Sequence, residues 1–193
     1  MAGTLTVQNI EGPSSGSNAN KVIIPSGQTL FAPGHVLQVV TDTFTSTEST
    51  SSLASSNSFA NSSLSATITP KSTSSKILVT AMVNVGAPDS GDGSVILRVL
   101  RDSTAIGIGD ASSNRIRATT GRGTDFFGAN SHNCITVHVV DEPSKTSATT
   151  YTIQFAARGT GSRTVFINKS SADADTTEYQ RTASTLTVME IAQ

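Results

Sequence analysis

The chain is poor in the residues on which most protein chemistry depends. Its 193 residues include one cysteine, no tryptophan, three histidines and two tyrosines. A lone thiol, Cys134, excludes an intrachain disulfide. Aromatic residues make up 5%, too few for the platforms of a sugar-cleaving groove. Charged residues make up 14% and the net charge is -1, so the basic field that a nucleic-acid binder needs is missing. No apolar run approaches the roughly 18 residues of a membrane span. No basic segment leads into an apolar one, so no signal peptide is expected. No stretch keeps a 3.6-residue period over three turns, so no helix longer than about two turns is expected.

Small hydroxyl and β-branched residues take their place. Serine and threonine number 29 and 28. Valine, isoleucine and threonine number 56, against 12 leucines and methionines. Branching at Cβ crowds a helix and suits a pleated sheet. The expected fold is all-β. Charge is uneven: all eight arginines lie from Arg98 onward, and ten of the fourteen acids follow Ser90.

Two regions differ in punctuation. Residues 1–34 are broken at Gly12-Pro13, Gly16, Pro25, Gly27 and Pro33-Gly34. Between the breaks lie two brief strand patterns, Thr4–Ile10 and Lys21–Ile24. This segment is expected to be an arm of short strands that need outside partners. Leu5, Val7, Ile10, Val22, Ile23, Ile24, Leu30 and Phe31 are its candidate anchoring or trimer contacts.

From residue 35 to 193 the chain alternates with period two. Strands are expected at Val36–Thr45, Leu64–Ile68, Ile77–Val85, Val95–Arg101, Thr104–Ile108, Cys134–Val140, Tyr151–Ala157, Thr164–Asn168 and Leu186–Ile191. Ile77–Val85 has apolar residues on both faces and is expected to be buried on much of both. Residues 46–58, 109–130 and 170–182 read as polar connections. Nine or ten short strands with no crossover helices point to an antiparallel β-sandwich, jelly-roll-like, behind the arm. The inward set is expected to include Ile68, Val79, Val83, Leu97, Ile135, Val137, Ile153, Phe155 and Leu186.

Few groupings suggest chemistry. His132, Cys134 and His138 share one strand face, but a closed zinc site needs four ligands and no acid joins them. No metal and no cofactor are expected. The G-x-S-x-G elbow of a serine hydrolase is absent, and so is a complete calcium loop around Asp89 and Asp92. No catalytic residue is assigned, and the chain is not expected to be an enzyme. Arg115, Arg117 and Arg122 form a candidate ligand loop, because guanidinium forks match anionic sugar or phosphate groups. A solvated loop, or Arg–Asp pairs between subunits, is the plainer reading of the same residues. The two N-glycosylation sequons, at Asn61 and Asn168, are what a serine-rich chain produces by chance.

Five stretches carry a resemblance. They are Met1–Pro13, Lys21–Leu30, Ile68–Val79 with Arg101–Gly107, and the closing Leu186–Gln193. Together they resemble fibre-like and decoration virion proteins of marine tailed bacteriophages, cyanophage-like, over nearly the whole length. The resemblance implies a virion location and a short homotrimeric fibre or spike. Its partners would be copies of itself and other capsid or tail proteins, with a host-surface glycan as candidate contact. A capsid decoration protein binding across capsomers is the alternative. A carbohydrate-binding or hydrolytic β-domain is the outsider.

Overall fold

Branched side chains at every second position favour pleated strands, and each strand then offers one apolar face. The computed structural model describes residues 6–28, 30, 32–52, 54, 57–86, 94–122, 131–158 and 163–193. Among these residues there is no α-helix. The strands are β1 (Val36–Phe44), β2 (Glu48–Thr50), β3 (Ala60–Ile68), β4 (Lys76–Gly86), β5 (Ser94–Arg101), β6 (Thr104–Ile106), β7 (Thr120–Arg122), β8 (His132–Asp141), β9 (Thr149–Arg158), β10 (Val165–Ile167) and β11 (Ser184–Ile191).

They form two antiparallel sheets. The first runs β1-β11-β4-β8, and β10 and β2 continue it beside the end of β4. The second runs β3-β9-β5, with β6 and β7 sharing the free edge of β5. In chain order the seven long strands switch sheets every time. Successive strands therefore face each other across the core, which is jelly-roll wiring.

The core lies between the sheets. All nine residues expected to point inward are buried there, and Phe155 and Tyr151 are the largest fully buried side chains. Asp141 sits at its margin, where it accepts from the Tyr151 hydroxyl (2.7 Å) and from Arg101 Nη1 (2.9 and 3.2 Å). Burial, then the hydrogen bond to Asp141, push the Tyr151 phenol far above its usual pKa. Asn168 is wholly buried, its Nδ2 donating to the carbonyls of Phe44 and Ser46 at 2.8 Å each. That sequon cannot receive a glycan in the folded chain.

Several expectations are corrected. β4 is buried on its inner face only; outside, Leu78 and Thr80 are half-buried and Met82 is 44% exposed. The reason is that, among the described residues, nothing packs on the outer side of the first sheet. The 46–58 connection contains β2, which pairs with β10, and the buried Ala54. The 109–130 loop contains β7, which pairs with β5. Both strands are three residues long, and a partner edge rather than their own pattern holds them.

The described part of residues 6–34 pairs with no strand of the sandwich. A turn closed by Asn20 N–H donating to Pro13 O (2.8 Å) occupies its middle. The root of the arm is pinned: Gly34 N–H donates to Ala192 O (2.8 Å), and Ala192 N–H donates to His35 O (2.9 Å).

Candidate functional site

Arg98 lies on the outward face of β5, between the inward Leu97 and Val99. Its neighbours across the sheet form a polar ladder. Arg98 Nε donates to Gln154 Oε1 on β9 (3.0 Å), and Gln154 Nε2 donates to Asn61 Oδ1 on β3 (2.7 Å). Arg98 Nη1 donates to Asn57 Oδ1 (3.1 Å), and the guanidinium lies 3.9 Å from the centre of the Phe59 ring. Those partners are neutral, so they fix the plane of the group without cancelling its charge. Burial lowers the Arg98 pKa from its ordinary value. An arginine stays charged even so.

A folded excursion between β6 and β7 stands beside Arg98. Gly107 starts it with φ of +56°, and a Cβ there would come within 2.7 Å of Val139 Cγ2. Arg117 Nε donates to Gly109 O (2.7 Å), and Arg115 Nη1 donates to Ser112 Oγ (2.5 Å). The excursion, Ala54 and Asn57 border a cleft of about 290 Å³ over Arg98. Its lining includes the guanidinium-bearing Arg98, Arg115 and Arg117, and the amides Asn57 and Asn114. Ala54, Ile108 and Ile116 supply the apolar part, and among the described residues no carboxylate lines the cleft. The arrangement can neutralise an anion and hydrogen-bond hydroxyl groups.

Arg115 and Arg117, two of the three arginines singled out in the sequence, thus meet in one cleft. Arg122 is at the end of β7, its backbone opposite Val95, and its side chain lies outside the described residues. Arg98, Asn57 and Asn114 were not found from sequence. An arginine on an alternating strand signals only an outward face, and the 57–59 segment looks like the rest of a serine-rich run.

The outer face of the first sheet is a second candidate surface. Register sets three rows across β1, β11, β4 and β8: Val39–Met189–Leu78–Val140, Thr41–Thr187–Thr80–His138 and Thr43–Thr185–Met82–Thr136. These twelve side chains include no Asp, Glu, Lys or Arg. Cys134 is exposed on the same face, and no three His, Cys, Asp or Glu among the described residues converge as metal ligands. His132 is half-buried at the start of β8; burial lowers its pKa, against the opposing pull of Asp173.

Of the arm residues, Val7, Ile10, Val22, Ile23, Ile24 and Leu30 are all exposed, by 40% to 69%. Leu5 and Phe31 lie outside the described residues.

No protein-family model matches the chain, and no curated protein does. Solved structures do. One is of T=1 particles derived from infectious bursal virus, with TM-score 0.41 and 10% identity, covering 92% of this chain and 42% of that one. Another is the VP2 subviral particle of infectious bursal disease virus, with TM-score 0.40 and 11% identity, covering 94% and 46%. The chain spans less than half the length of either.

Proposed function

We propose that the chain is a structural subunit of a virus particle, a short homotrimeric fibre or spike of a tailed phage. The arm, residues 1–34, attaches or trimerises it, and the sandwich projects. One observation carries this reading. The ten large aliphatic side chains exposed among the described residues are confined to the arm, its root at Val36, and the outer face of the first sheet. On that face they are Val39, Met82 and Val140. A monomer gains nothing from two such surfaces, whereas an assembling subunit covers them with its neighbours. The all-β wiring and the resemblance of the arm to phage fibre-like proteins agree with it.

The test is the mass of the full chain in solution by native mass spectrometry, beside a form lacking residues 1–33. That truncation spares the Gly34–Ala192 hydrogen bond. The full chain should be trimeric, and the truncated form folded but predominantly monomeric. A full chain that stays monomeric at every concentration overturns the trimer. A truncated form that remains a trimer assigns assembly to the sheet face and removes it from the arm. A wild-type chain that coats preformed capsids while monomeric supports the capsid decoration alternative.

A further inference from the structure

The cleft over Arg98 has the makings of a binding site that the assembly reading does not use. We propose that it is a subsite for a single sugar unit bearing an acid group, with that group held by Arg98, Arg115 and Arg117. Three features carry the inference: an arginine fixed by neutral partners, two more arginines on one loop, and a lining that among the described residues holds no carboxylate.

Charge comes first. Three guanidinium groups around one cleft repel one another, and neither Arg98, Arg115 nor Arg117 forms an ion pair among the described residues. Arginines elsewhere in this chain do find acids: Arg101 pairs with Asp141 and Arg181 with Asp173. An anion entering the cleft supplies the missing countercharge. Each guanidinium carries five N–H donors. Arg98 spends two of these on Gln154 and Asn57. Its plane is set before a ligand arrives, which reduces the ordering cost of binding.

Shape and polarity then narrow the class. A cleft of about 290 Å³ sits at the small end of ligand pockets, which run from roughly 300 Å³ upward. That volume suits one ring rather than a nucleotide or a chain. Asn57 and Asn114 offer amide donors and acceptors suited to hydroxyl groups, while Ile108 and Ile116 can face the C–H side of a ring. Among the described residues no aromatic side chain lines the cleft. Affinity for one unit should therefore be weak, on the order of millimolar. Repetition of the site around a trimer would raise avidity toward a surface carrying many such units.

The experiment is a titration of the full chain, followed by NMR, with methyl glucuronide, glucose 6-phosphate, methyl glucoside and inorganic phosphate. At least one acidic sugar should bind tenfold or more tighter than methyl glucoside and than inorganic phosphate. Which one it is separates a carboxylate source from a phosphate source. The double variant Arg115→Gln/Arg117→Gln, on an exposed loop, should weaken that binding tenfold or more at unchanged melting temperature. Arg98→Lys should weaken it as well, since an ammonium cannot reproduce the fork. The proposal is overturned if the glucoside binds as well as the acidic sugars, if phosphate alone binds as well, if no probe binds, or if the loop variant binds normally. These probes are monovalent, so the result does not depend on whether the chain forms trimers.

Discussion

At the level of single residues, the inward positions were legible and the buried polar ones were not. Period-two alternation sends Phe155 inward whatever its partners are, and it is 1% exposed. Phe155→Ala should cost about 3–5 kcal/mol, read from chemical denaturation. A midpoint unchanged by that substitution would remove Phe155 from the core. Glu190 follows Leu186 and Val188 on the same face of β11, yet an acid there gives no hint of what satisfies it. Its partners come from far along the chain: Gln38 Nε2 and Lys71 N–H each donate to it at 2.6 Å. Burial alone would raise its pKa. The Gln38 amide, the backbone of Lys71 and Ser72 and the nearby Ser75 hydroxyl outweigh that and hold the carboxyl below its ordinary value. A depressed folded pKa means stability that is present above the unfolded pKa of about 4.3 and lost as pH falls through the folded value. Wild type should therefore lose more stability than Glu190→Gln as pH is lowered through that window. Parallel losses in the two proteins would contradict the assignment.

At the level of elements, long strands announced themselves and short ones did not. β4 and β9 carry their own alternation, whereas β2 and β7 exist because β10 and β5 offer edges. The cleft was half legible for the same reason. Arg115 and Arg117 stand out as charges in a polar loop, but the loop meets Arg98 only after β5 and β7 pair. Gly107 sets the direction of that loop. Its φ of +56° strains any other residue, and an added Cβ would press on Val139. Gly107→Ala should lower the melting temperature by a few degrees and weaken acidic-sugar binding more than it weakens the fold. Full binding in that variant would show that the loop is positioned by something else.

At the level of the whole molecule, the wiring makes each sheet depend on the other. The long strands alternate sheets, so neither sheet consists of one continuous piece of chain. Unfolding of the sandwich should be a single transition, seen at the same denaturant concentration by near- and far-ultraviolet circular dichroism. Separate transitions would mean that one sheet stands alone.

The joint at the root of the arm has a mechanical consequence. β1 and β11 are antiparallel, with Val36 opposite Ile191 and Phe44 opposite Ser184. Tension between Gly34 and Ala192 would open that ladder like a zip, one rung at a time from the arm end. Tension between the arm and the 170–182 segment, which enters β11 from the other end, would pull the two strands along their length and load every rung at once. The same seam is thus weak against peeling and strong against shear. A load applied through residues 1–34 spares the sandwich only if the opposing grip lies at the far end.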